Sequence, residues 1–127
     1  MIETNSAYIS KIDDDTLKVV FKPNAILKKG EYQEMYEHYQ SILGKKTEMK
    51  FLVIVQEGFK MEEQYLKFFK KDYRVDFKKA EAFILLNPSS RMFFKVGIHV
   101  IPNKYPAKLF DNEKEALKWL KTIDWLE

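Results

Sequence analysis

Cysteine is absent from the chain, which excludes disulfides, thiol nucleophiles and thiolate metal sites. Histidine is almost as scarce. The two present, His38 and His99, stand too far apart to form a ligand cluster of zinc-site spacing. Neither a GxGxxG nor a Walker A loop occurs, so nucleotide binding through those turns is excluded. No apolar run approaches the roughly 18 residues that span a bilayer. The opening Met1-Ile2-Glu3-Thr4-Asn5-Ser6 has neither the basic start nor the apolar core of a secretory signal. Charge of one sign is in short supply too: the net charge of +3 is far below the footprint of a dedicated nucleic-acid binder. That small excess is local. Residues 60–79 hold seven basic and four acidic side chains, while 31–59 hold three basic and five acidic. The expectation is a cytoplasmic protein without metal, cofactor, nucleic-acid partner or membrane insertion.

What is present describes one folded domain, 1–127. Apolar residues make up 46% and aromatics 15%, with ten Phe and seven Tyr, enough for a sizeable core. Charged residues at 32%, both signs interspersed, suit a folded surface rather than a disordered chain. Tyr8–Ile12 and Leu17–Phe21 are rich in β-branched and aromatic residues and predict two strands. Asp13-Asp14-Asp15 between them reads as the tip of a hairpin, because Asp side chains bond nearby backbone in tight turns. A cation site is the sharper alternative, but no further ligand lies nearby in sequence. Pro23-Asn24 ends the second strand.

Between Glu31 and Leu43, Tyr32, Met35, Tyr36, Tyr39, Ile42 and Leu43 step by three and four, one stripe of an amphipathic helix. Gly44 suits a left-handed helix end. The tyrosines read as core rather than as a stacking platform for bases or sugars. Phe51–Val55 is a continuous apolar run, as in a strand covered on both faces. Gln56-Glu57-Gly58-Phe59 follows as a loop, and Met61, Tyr65, Phe68 and Phe69 predict a second helix to about Asp72. Its other face carries Lys67, Lys70 and Lys71, a solvated face or a contact for an acidic partner. Ala82–Leu86 is the next apolar strand.

After it, Asn87 suits a helix N-cap and Pro88 a first helical position. Met92, Phe93, Val96 and Val100 fit one helical face, whereas Phe94, Val96, Ile98 and Val100 alternate as a strand would. Local signals leave both readings open. Pro102 and Pro106 frame a loop, Ala107–Phe110 is a short strand, and Asp111 is expected to cap a helix with Ala116, Leu117 and Leu120 inward. The order β-β-α-β-α-β-α-β-α predicts an α/β fold. Its sheet is mixed, with about five strands, an antiparallel hairpin first and parallel strands after it, and about four helices pack on it.

Two stretches carry a likeness beyond layout. Asn87-Pro88-Ser89-Ser90-Arg91-Met92 opens the third helix. Near the end, Pro106-Ala107-Lys108-Leu109-Phe110 is followed by Glu115-Ala116-Leu117-Lys118-Trp119-Leu120. With the order of elements, these resemble the SpoIIAA-like, or STAS-like, group of small bacterial domains. The resemblance favours a helix at 88–101. Typical members are anti-sigma-factor antagonists with a phosphorylatable Ser or Thr at the start of the helix after the third strand. The matching stretch here, Gln56-Glu57-Gly58-Phe59-Lys60, has no hydroxyl, which implies a STAS-like module without the phosphoswitch.

The local candidate for a ligand site is Asn87, Ser89, Ser90 and Arg91. A helix starting there would converge free N–H groups, two hydroxyls and a guanidinium at the end of a buried strand, where α/β sheets bind anions. Plain capping is the competing reading. A hydrolase using Ser89 or Ser90 lacks a base, since neither His38 nor His99 has a spacing that implies contact. The leading functional expectation is a non-catalytic module that binds a protein partner, with homodimerisation in view. The alternative is a carrier for a small apolar or anionic ligand.

Overall fold

The computed structural model describes residues 1–45, 48–62, 78–86 and 106–123. Eight strands and two helices occur among them: β1 (Ile2–Glu3), β2 (Ala7–Asp13), β3 (Thr16–Phe21), β4 (Ile26–Leu27), α1 (Lys29–Leu43), β5 (Met49–Val55), β6 (Lys60–Met61), β7 (Lys78–Leu85), β8 (Ala107–Phe110) and α2 (Glu113–Thr122). The main sheet runs β1-β2-β3-β5-β7-β8, and β4 pairs with β6 in a separate ladder. Pairing is antiparallel from β1 to β3 and parallel from β3 onward. The mixed sheet with its leading hairpin follows the expectation. It has six strands rather than about five, because Ile2–Glu3 adds an edge strand.

Of the expected four helices, the described residues show two. Those expected at 61–72 and 88–101 fall on residues outside the description, apart from Met61 and Glu62. Met61 itself corrects the reading, since it pairs with Leu27 in β6 rather than opening a helix. Backbone hydrogen bonding to a neighbour two dozen or more residues away overrides a local three-four pattern.

Strand β5 explains how the two helices are placed. Side chains alternate across a strand, and every residue of β5 but Ile54 is buried. Phe51, Val53 and Val55 join Leu17, Val19 and the α1 residues Tyr32, Met35, Tyr39 and Leu43 in one core. Leu52, pointing the other way, joins Ala80, Ala82 and Ile84 of β7 with Ala116 and Leu120 of α2. The helices therefore cover opposite faces. Three alanines, Ala80, Ala82 and Ala116, are fully buried at the second face, where small side chains let α2 lie close to the sheet. Leu120, 1% exposed, supplies its largest fully buried helical side chain, worth about 2 kcal/mol by burial alone. Among the described residues no helix is long and apolar enough to cross a membrane.

The Asp run is a turn: Asp15 N–H donates to Asp13 Oδ1 at 2.8 Å. Helix α2 is capped one residue later than expected. Asn112 Oδ1, not Asp111, accepts the Glu115 N–H at 2.9 Å, because Asn112 holds the extended backbone that aims its side chain at the third helical N–H. Strand β7 starts at Lys78, four residues before the apolar run. Residues three apart on a regular strand face opposite sides. Here a register shift between Met49 and Lys50 of β5, whose partners jump from Lys78 to Ala80, inserts one extra residue in β7. Lys78 thereby turns to the face of Glu81, and the two side chains, each 6% exposed, meet at 2.9 Å.

Candidate functional site

The carboxyl ends of parallel strands are where α/β sheets place ligands, and this chain builds a fixed rim there. Strand β3 ends at Phe21 and leads into Pro23-Asn24; β5 ends at Val55 and leads into Glu57-Gly58. Asn24 N–H donates to Glu57 O at 2.9 Å, Lys60 N–H to Ala25 O at 2.9 Å and Glu62 N–H to Leu27 O at 3.0 Å. Gln56 Nε2 donates to Phe21 O at 3.2 Å, and the Phe21 and Phe59 rings pack 4.6 Å apart. Gly58 has φ +78°, and a Cβ there would collide with Asn24 Oδ1. Glycine is required at 58 for both reasons. Asn24 also holds positive φ, at 62°, a conformation Asn tolerates better than most residues.

A cleft of about 340 Å³ opens beside this rim, between the segment 22–28, the start of β2 and the start of α1. Its polar lining is Asn5, Ser6, Lys22, Asn24, Lys28 and Glu31, and Ile26 adds an apolar side chain that is 47% exposed. Glu31 is committed from two sides. Oε1 accepts Asn5 Nδ2 at 2.7 Å and Oε2 accepts the Lys28 N–H at 3.3 Å. Lys28 occupies the N-cap of α1, yet its ammonium has no lone pair to offer the first-turn N–H groups. Lys22 Nζ donates to Glu3 Oε2 at 2.6 Å and lies 5.1 Å from the Tyr8 ring centre. That hydrogen bond to Glu3 holds the Lys22 ammonium above its ordinary pKa.

The residues expected to bind, Asn87, Ser89, Ser90 and Arg91, lie outside the described residues. The nearest described residue before them is Leu86, 58% exposed, whose N–H donates to Val55 O at 3.0 Å. The cleft residues were missed by sequence reasoning. Only the Lys28-Lys29-Gly30 start of a helix, where Ser, Thr, Asp or Asn is usual, could have flagged them. Among the described residues no three His, Asp or Glu side chains gather as a cation site.

A family model described as a domain of unknown function, DUF7793, matches residues 10–124. No curated protein matches the chain. A solved structure that resembles it is an uncharacterised protein of the DUF3478 family with a SpoIIAA-like fold, from Shewanella loihica PV-4. The two are 20% identical, the match covers 94% of this chain and 99% of that one, and the TM-score is 0.59. The likeness gives the architecture: a SpoIIAA-like fold.

Proposed function

Given that the chain belongs to the DUF7793 family and folds in the SpoIIAA-like way, we propose that it is a non-catalytic interaction module of the STAS-like type. In this reading it works without a phosphoswitch and binds a protein partner through the rim at the carboxyl ends of β3, β5 and β7. The observation that carries the reading is the loop after β5. By the resemblance alone, Gln56-Glu57-Gly58-Phe59-Lys60 answers to the stretch where typical members of the STAS-like group carry a phosphorylatable hydroxyl. It offers none, and it is pinned by backbone hydrogen bonds to the segment after β3. A rim held in one conformation before binding loses little entropy when a partner docks. A cytoplasmic location and a homodimeric state belong to the same proposal.

A second reading, a small-ligand site, draws support from the cleft volume, which is in the range of small-molecule sites. Its polar lining favours an anionic or polar ligand over an apolar one.

Affinity capture from the native cytoplasm, with mass spectrometry of proteins and small molecules, separates these. Wild type and an Asp14→Lys control at the far end of the sheet should retain one protein that Glu57→Lys and Leu86→Asp lose. Retention of that protein by the rim variants would overturn the interaction reading. Recovery of a stoichiometric small molecule without a protein would favour the second.

A further inference from the structure

In the short ladder between β4 and β6, the outer side of β4 faces the cleft. In a parallel pair, alternate residues of a strand direct both backbone groups to the same neighbour. Lys60 N–H bonds Ala25 O and Glu62 N–H bonds Leu27 O, with Ile26 opposite Lys60. The Ala25 carbonyl and Leu27 therefore serve β6, and the N–H and C=O of Ile26 point the other way. Strand β4 continues from β3 and β6 from β5, while Asn5 and Ser6 lead into β2 on the opposite flank of β3. The cleft between 22–28 and Asn5-Ser6 is thus on the side of β4 away from β6. Among the described residues no strand pairs with that side.

From this we infer that the cleft takes an extended segment of a partner protein as a third strand beside β4, with an acidic residue of that segment facing Lys28. The inference rests on the interaction reading above and supplies the chemistry of its partner. An unpaired donor and acceptor on one residue, flanked by an exposed apolar side chain, match a peptide backbone better than a compact ion. The preference for acid follows from the charges. Glu31 is held by Asn5 and the Lys28 N–H, and Lys22 by Glu3, whereas Lys28 is exposed at the cleft mouth.

Three acetylated, amidated pentapeptides test this by proton–nitrogen NMR with amide hydrogen exchange: alternating Val and Glu, alternating Val and Lys, and the Glu peptide N-methylated at its central residue. In the free protein the Ile26 amide exchanges freely while the Leu27, Lys60 and Glu62 amides are protected. The Glu peptide protects Ile26 and shifts the signals of residues 22–28, the Lys peptide binds more weakly, and the N-methylated peptide does not bind. Lys28→Glu weakens the Glu peptide by about two- to fivefold, as loss of an exposed ion pair should. Ile26→Pro removes the outward N–H along with the Ile side chain and fixes φ, and abolishes binding with Lys60 and Glu62 still protected, whereas Ile26→Ala, which keeps the N–H, still binds.

Protection of Ile26 in the free protein overturns the proposal, whether constant or growing with protein concentration; growth with concentration would name a second copy of the chain as occupant. Equal binding of all three peptides, or no binding by any, overturns it as well. If the peptides fail while rim variants still lose their captured partner, the strand-addition mode falls and the interaction reading stands.

Discussion

Replacing Glu81 with alanine removes the carboxylate that Lys78 meets at 2.9 Å on the α1 face of the sheet, where both side chains are 6% exposed. The Phe51 ring, 5.2 Å from Lys78 Nζ, remains, but a ring face does not replace a carboxylate against a desolvated ammonium. Breaking a buried pair by deleting one partner costs about 3–5 kcal/mol. In a chain of 127 residues, each kcal/mol moves Tm by about 4 °C, so Glu81→Ala should melt roughly 12–20 °C lower. With a urea m-value of about 1.5 kcal/mol/M, the midpoint should fall by roughly 2–3 M. The double variant Lys78→Met/Glu81→Leu removes both charges and keeps much of the volume. It should lie near wild type or above it, because the desolvation penalty of the pair is removed with its attraction. Urea titration followed by circular dichroism reads all three proteins. A loss below about 1 kcal/mol in Glu81→Ala would show that the pair behaves as a solvated one. A double variant as unstable as Glu81→Ala would refute the desolvation argument.

Tyr39 carries a pH signature: burial first, then the charge of Glu81 and the neighbouring Tyr32, holds its phenol well above the ordinary value of about 10. The folded state keeps the proton longer than the unfolded one, so this contribution is complete below about pH 10 and is lost as pH rises beyond it. Stability measured between pH 9 and 11.5 should decline less steeply in Tyr39→Phe; an unchanged slope would sink the assignment. Gly58→Ala should cost about 1–3 kcal/mol, from the positive φ and the collision with Asn24, and Asn24→Gly in the same background should recover only part of it by chemical denaturation. Leu120→Ala should cost about 2–5 kcal/mol, since the site is 1% exposed. Asn112→Ala should lose about 1 kcal/mol of helix capping and Asp111→Ala less, a comparison that thermal melts decide.

Elements with a long, uniform pattern were legible in the sequence. The stripe from Tyr32 to Leu43, the apolar run Phe51–Val55 and the inner positions Ala116, Leu117 and Leu120 all fall on the elements their periods predict. The first half of β7 was not legible, because Lys78 and Glu81 look like surface until an extra residue brings them together across a bulge. The two-residue strands β1, β4 and β6 are too short to show a period at all. The cap at α2 slipped by one residue, because adjacent Asp111 and Asn112 are both good caps and only backbone conformation chooses. The cleft was illegible for a different reason. Its wall depends on Asn24 meeting Gly58 and Asn5 meeting Glu31, contacts between distant residues that no local pattern encodes. Asn87, Ser89, Ser90 and Arg91 fall beyond the described residues; the strand they were expected to follow ends beside Leu86, whose N–H donates to Val55 O.

Burial of β5 on both faces carries a consequence for the nascent chain. Synthesis delivers β2, β3, α1 and β5 before β7, β8 and α2, so most of one hydrophobic layer can close while those elements are still on the ribosome. The opposite layer waits for Ala80, Ala82 and Ile84, and then for Ala116 and Leu120. A half-made protein would present Leu52 and Ile54 bare to chaperones until α2 emerges.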